Sequence, residues 1–252
     1  MKIPKSKKVI EGMVGINKII GKVKNKQFHD MLVSVLKNNE KNLTDKNTIK
    51  FEKIIEAMIA VDRKYFAPFD VYVDEPVIIG KGQTISQPTT VARMLLMLDL
   101  KKGHTILESG TGSGWNSSLL SYLVNPGKVI TAERIFELSK LARKNISDFT
   151  KKTRKKLNVK VVFADILDEK TEVWKYRYDR MMITAGVRYD DINVVKAMGI
   201  KLLKENGMLL FPSSEIGSYG ALELWQKKKN ELRRIERDEG YAFVPLLRKI
   251  EE

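Results

Sequence analysis

Apolar residues recur at two different spacings along this chain, and the change comes near residue 100. Before it the spacing is helical. Ile10, Met13, Val14, Ile19, Ile20 and Val23 form a lysine-rich amphipathic segment interrupted by Gly12, Gly15 and Gly21. Phe28, Leu32, Val35 and Leu36 predict a second helix, with a polar connection after it at Asn38–Asn42. Phe51, Ile54, Ile55, Met58 and Val61 predict a third, capped by Thr44 or Asp45. It ends at Tyr65-Phe-Ala-Pro68, because the residue before a proline is driven out of the helical region. Val77-Ile-Ile79 has strand character, followed by a Gly80-Lys-Gly82 turn. Ser86-Gln-Pro88 leads into a helix whose inward face carries Val91, Met94, Leu95 and Leu98, and Pro88 suits its first turn.

Beyond residue 100, short β-branched runs alternate with helical segments. Strands are expected at Thr105–Glu108, Lys128–Ala132, Lys160–Ala164, Arg180–Thr184 and Met208–Pro212, and helices at Trp115–Leu123, Phe136–Asp148 and Ile192–Leu203. Such alternation calls for an α/β fold, a doubly wound and mainly parallel sheet covered on both faces. Gly220–Gln226 and Tyr241–Leu247 have no helix between them, so they are expected to form a C-terminal antiparallel hairpin joined by the charged loop Lys227–Gly240. The expected plan is an N-terminal helical extension over residues 1–60, packed on a core domain over residues 61–252.

Composition narrows this further. A chain of 252 residues with 43% hydrophobic content can bury a substantial core. There is no cysteine, which removes disulfides, thiolate metal sites and cysteine nucleophiles together. No metal site is expected. No apolar run approaches the roughly 20 residues a membrane helix needs, and the basic N-terminus is not followed by a signal-peptide core. A cytoplasmic protein without membrane partners, acting as a monomer, is the simplest expectation. The net charge of +15 also fits a nucleic-acid partner, but the basic residues lack the interleaved aromatics that stack on bases, which disfavours it.

The chemistry centres on Thr105-Ile-Leu-Glu-Ser-Gly-Thr-Gly-Ser-Gly-Trp115, a strand running through a glycine turn into a helix. This arrangement holds a nucleoside-bearing cofactor at the end of a parallel strand. Glu108 closes the first strand, Glu133 the second and Asp165 the third, so three acids should meet at one sheet edge. Acids at these positions suit a neutral or cationic nucleoside better than a pyrophosphate. S-Adenosylmethionine, with a sulfonium and an ammonium but no phosphate, meets that requirement.

Several segments extend the reading to an acceptor. Gln83-Thr-Ile-Ser-Gln-Pro88, Val91-Ala-Arg-Met94, Leu107-Glu-Ser-Gly-Thr-Gly-Ser-Gly114, Tyr178-Asp179 and Phe243-Val-Pro-Leu246 stand in one collinear order. Together they resemble the protein-L-isoaspartate O-methyltransferases, from about Asp62 to Leu247. The resemblance implies a seven-stranded methyltransferase sheet. It also implies methyl transfer from S-adenosylmethionine, leaving S-adenosylhomocysteine, to the α-carboxylate of L-isoaspartyl residues in damaged peptides and proteins. It assigns Glu108, Gly110, Gly112 and Gly114 to the methionine part of the cofactor, with Ser109 and Thr111 also binding the cofactor. Glu133 goes to the ribose hydroxyls and Asp165 to the adenine amino group, and Arg134, Ile166 and Thr184 are further cofactor-binding residues. Ser86 matches the active-site serine. Ile85, Gln87, Thr89, Val244, Pro245 and Leu246 would line the acceptor groove. Neither His29 nor His104 is expected to be catalytic.

Four segments depart from the family pattern: Thr89-Thr90, Ala164-Asp-Ile-Leu-Asp168, Thr184-Ala-Gly-Val-Arg-Tyr-Asp190 and Pro212–Gly220. Most fall on the acceptor side, so two other readings stand beside isoaspartyl repair. One is a methyltransferase with a different acceptor, either another peptide carboxylate or RNA. The other is a non-catalytic module that keeps the cofactor pocket. Thr184-Ala-Gly-Val lacks the Asn/Asp-Pro-Pro-aromatic signature of many methyltransferases that modify nucleic-acid nitrogens, which counts against RNA.

Overall fold

The computed structural model describes residues 5–215 and 217–246. Three helices come first: α1 (Lys7–Ile20), α2 (Lys26–Asn39) and α3 (Thr48–Ala60). A two-stranded antiparallel hairpin follows, β1 (Val77–Gly80) and β2 (Gln83–Ile85), leading into α4 (Pro88–Met97). The core then runs β3 (Thr105–Ser109), α5 (Trp115–Val124), β4 (Lys128–Glu133), α6 (Phe136–Thr153), β5 (Val159–Phe163), β6 (Tyr178–Ile183), α7 (Ile192–Leu202) and β7 (Leu203–Ser213). It closes with β8 (Gly220–Lys228) and β9 (Glu231–Tyr241).

The main sheet has seven strands in the order β5-β4-β3-β6-β7-β8-β9, parallel through β7 and antiparallel from there to the edge. Its central strands are apolar on both faces because helices cover both. Ile106, Val129, Met182 and Leu210 point into one cluster with α1–α5, while their neighbours Leu107, Ile130, Met181 and Leu209 point into another beneath α7. The chain winds outward from β3 to β5, then returns to β6 on the other side of β3. A crevice at the carboxyl ends of β3 and β6 follows from that reversal.

α1 runs unbroken through Gly12 and Gly15 and ends at Gly21, so only one of its three glycines interrupts the helix. Gly12 is there for another reason. A Cβ at Gly12 would overlap Thr48 Cγ2, so the glycine sets how closely α1 approaches α3. α3 begins at Thr48, later than a cap at Thr44 or Asp45 implies. Asn47 Oδ1 instead accepts from the Thr44 amide at 2.7 Å, which closes the preceding turn. The three helices share one apolar cluster with α4, α5 and the sheet.

The C-terminal hairpin forms, but with a different second strand. Residues 227–240, expected as a loop, supply the end of β8 and nearly all of β9, joined by a tight turn at Lys229-Asn230. Residues 241–246 leave the sheet, and Leu247 lies outside the described residues. The charges hid this strand because β9 is the sheet edge, where Leu232 is its one buried residue. One of its charges finds a partner across the ladder, Arg234 Nη1 lying 3.4 Å from Glu223 Oε2 on β8. Charged side chains also protect an edge from pairing with another chain.

Candidate active site

The sheet edge at the reversal opens into a cleft of about 770 Å³. One wall is the glycine turn. Gly110, Gly112 and Gly114 take φ of 91°, 53° and 86°, a region in which a Cβ is strained. At Gly110 a Cβ would also overlap Thr184 Oγ1, which donates to the carbonyls of Ser109 at 3.0 Å and Gly110 at 2.8 Å. The end of β6 thereby pins the turn leaving β3. Glu133, at the end of β4, pins it from the other side. Its Oε2 accepts from the Gly112 amide at 2.9 Å and its Oε1 from the Ile135 amide at 3.0 Å. Asp165 Oδ1 accepts from the Leu167 amide at 2.9 Å and shapes the turn after β5. Ile135, Leu138 and Ile166 add apolar surface between these carboxylates.

Ser109, Gly110, Thr111, Gly112, Glu133, Arg134, Asp165, Ile166 and Thr184 all border the cleft. Two residues assigned to the cofactor do not. Glu108 is fully buried behind the turn, where its carboxylate accepts from Asn116 Nδ2 at 2.8 Å, Thr131 Oγ1 at 2.6 Å and the Ser117 hydroxyl. Burial pushes its pKa up to about 7, against the pull of those hydrogen bonds. Its strand-end position misled, because side chains alternate along a strand and Glu108 points under the turn. Gly114 lies behind the turn as well. A Cβ there would come within 3.1 Å of Ile146 Cγ1 on α6, so this glycine packs α5 against α6.

A second part of the lining is assembled around the start of α4. Ile85, Ser86, Gln87 and Thr89 border the cleft, and so do Val244, Pro245 and Leu246, which are distant in sequence. Residues 244–246 are held by backbone pairing with the segment after β6. Gly186 donates to the Val244 carbonyl and Leu246 to the Gly186 carbonyl, each at 2.8 Å. The divergent Thr184–Asp190 segment is therefore the docking rail for residues 244–246.

Other cleft residues carried no sequence signal. Asn38, Asn39, Lys41 and Asn42, at the end of α2 and just beyond it, line the cleft, so the N-terminal helices contribute directly to the site. Tyr219 lines it from the divergent Pro212–Gly220 segment. Asp74 organises the wall from behind. Its Oδ1 caps α4 by accepting from the Thr89 amide at 2.8 Å, and its Oδ2 accepts from Thr89 Oγ1 at 2.6 Å and Ser34 Oγ at 2.7 Å. Asp74-Glu-Pro76 resembles an ordinary turn in sequence, and only tertiary contact reveals this carboxylate as the cap of α4.

The comparisons with known proteins agree with this geometry. A family model described as protein-L-isoaspartate(D-aspartate) O-methyltransferase matches residues 36–251. A protein-L-isoaspartate O-methyltransferase of Methanopyrus kandleri is 40% identical over 206 residues, covering 79% of this chain and 85% of its own. The Pyrococcus horikoshii protein of the same name is 38% identical over 210 residues, covering 79% and 86%. The chain belongs to this family.

A solved Plasmodium falciparum family member, in complex with S-adenosyl-L-homocysteine, superposes with a TM-score of 0.68 at 26% identity, over 85% of this chain and 97% of that one. The family match begins at Leu36, well before the Asp62 at which the resemblance starts in sequence, and so takes in the part of α2 that reaches the cleft. Among the described residues no helix is long and apolar enough to cross a membrane, and no cluster of potential metal ligands is present.

Proposed function

We infer that this chain transfers a methyl group from S-adenosylmethionine to the α-carboxylate of L-isoaspartyl residues in proteins and peptides, a repair reaction. One observation carries the reading: the glycine turn with its acids and the Ser86 segment with Val244–Leu246 line a single cleft.

The cleft fits S-adenosylmethionine in chemistry. Gly110 and Gly112 bring bare backbone to its wall, carboxylates stand at the ends of β4 and β5, and Ile135 and Ile166 offer apolar surface suited to a purine. Glu133 is the residue for the ribose hydroxyls and Asp165 the residue for the adenine. When bound, S-adenosylmethionine would supply an electrophilic methyl group whose bond to sulfur breaks as it bonds to a carboxylate oxygen, with S-adenosylhomocysteine leaving as the neutral thioether.

The chain's own task is to position and to desolvate. A carboxylate with a pKa near 4 is already ionised at neutral pH, so no general base is needed. Ser86 orients that carboxylate by hydrogen bonding, at the start of a helix held rigidly by Asp74. Val244, Pro245 and Leu246 give the peptide an apolar surface and keep water from the reacting atoms. Rate enhancement then comes from proximity and orientation.

The test offers labelled S-adenosylmethionine to the protein with an isoaspartyl peptide, its normal aspartyl twin and bulk transfer RNA. Selective labelling of the isoaspartyl peptide is expected. Labelling of RNA alone would overturn the reading, and cofactor binding without any transfer would point to a non-catalytic module.

A further inference from the structure

Arg63 is fully buried, although its sequence context, Asp62-Arg-Lys64, looks like a surface charge run. Its guanidinium sits at the centre of a ring of carbonyl oxygens. Nη1 donates to Val71 at 3.1 Å and Val73 at 3.3 Å, with Asp70 at 3.5 Å; Nη2 donates to Glu75 at 3.1 Å and Ser86 at 3.4 Å. The guanidinium carbon lies 5.5 Å from the centre of the Trp115 ring. Burial lowers its pKa to about 10, opposed by Asp74, so it stays charged at neutral pH.

Residues 70–75 form no helix or strand, so their carbonyls have no ladder to satisfy them. Arg63 supplies those donors from inside the loop. That loop in turn carries Asp74, whose carboxylate caps α4 at Thr89 and whose carbonyl accepts from Gln87 Nε2 at 2.8 Å. Ser86, Gln87 and Thr89 are thus each tied to this one assembly, Ser86 by Arg63 itself. Toward the glycine turn, Arg63 faces the Trp115 ring.

We propose that Arg63 is a positioning residue for methyl transfer, holding Ser86 directly and Gln87 and Thr89 through the 70–75 loop, in register with the acceptor. The inference rests on the acceptor-side role given to Ser86 above. Lysine cannot replace it, because a single ammonium cannot reach carbonyls spread over both arms of the guanidinium fork.

The experiment compares Arg63→Lys, Ser86→Ala and the double variant, below their measured unfolding temperatures. Arg63→Lys is expected to lower kcat/KM for an isoaspartyl peptide about 10- to 100-fold, because small misplacements of orienting groups cost that much. Its Kd for S-adenosylhomocysteine should stay within about twofold of wild type. Since part of the effect of Arg63 runs through Ser86, the double variant should lose less than the product of the two single defects. Wild-type kinetics in Arg63→Lys, or full multiplication of the two defects, would overturn the proposal. Should Arg63→Lys fail to fold, Asp74→Asn reports on the same assembly: lost peptide turnover with unchanged cofactor affinity supports it, and an equal loss of both overturns it. Hydrogen exchange at the Thr89 amide tests the scaffold whatever the acceptor proves to be. Faster exchange in Arg63→Lys is expected even if wild type methylates no isoaspartyl peptide, and unchanged exchange would overturn the proposal.

Discussion

The Gly112 amide donates to Glu133 Oε2 at 2.9 Å, so the turn after β3 and the end of β4 are one unit. Glu133 therefore has two tasks, shaping the turn and facing the cleft. Glu133→Ala is expected to weaken binding of S-adenosylhomocysteine by about 1–3 kcal/mol, the cost of losing hydrogen bonds to a charged group. Glu133→Gln, which keeps one acceptor oxygen, should lose less. Titration calorimetry decides, and unchanged affinity in the alanine variant would remove Glu133 from the site.

Ser86 stands on the other wall. Ser86→Ala should reduce turnover of an isoaspartyl peptide by about tenfold or more while cofactor affinity stays nearly constant. Steady-state kinetics with parallel titrations measure both. A large loss of cofactor affinity would place this serine in the wrong half of the cleft.

Glu108 makes a prediction about pH. Its carboxyl is raised from 4.5 to about 7 in the folded chain, so between those values the native state holds a proton that the unfolded chain has released. Its contribution to stability is complete below pH 4.5 and is lost as pH rises toward 7, by up to about 3 kcal/mol. Glu108→Gln removes that titration. The difference in unfolding free energy, variant minus wild type, should grow more positive from pH 4.5 to 7 and then level off. A difference independent of pH would show that Glu108 is ionised in the native state across this range.

Gly12 offers a test away from the cleft. In an exposed helix, Gly→Ala stabilises by about 1 kcal/mol. Here the added methyl meets Thr48, whose side chain is stiff and whose hydroxyl donates to the Thr44 carbonyl at 2.6 Å. Gly12→Ala should therefore destabilise by about 1–3 kcal/mol, as overpacking does. Gly12→Ala combined with Thr48→Ala should recover part of that loss. Denaturant melts suffice, and stabilisation by Gly12→Ala alone would mean the α1–α3 approach is looser than described.

The helices and parallel strands were legible because each buried face imposes its own period. Central strands apolar on both faces, such as Lys128–Glu133, stand out in any window. The β9 strand did not, because an edge strand buries little and its charges read as loop. The same contrast separates the two halves of the site. Gly110, Gly112 and Glu133 lie in one strand-turn-helix-strand stretch, where local geometry alone brings them together. The acceptor wall joins α2, the 70–75 loop, the start of α4 and residues 244–246.

By itself, then, the sequence determined the parallel part of the sheet, the glycine turn and the cofactor chemistry, since these follow from short-range periodicity and from backbone freedom at glycine. The tertiary structure alone decided that Glu108 turns away from the cleft, that Gly12 is a packing contact, and that Arg63 and Asp74 brace the acceptor wall. A side chain's burial and its partners depend on segments far along the chain, and nothing in its immediate neighbours records them.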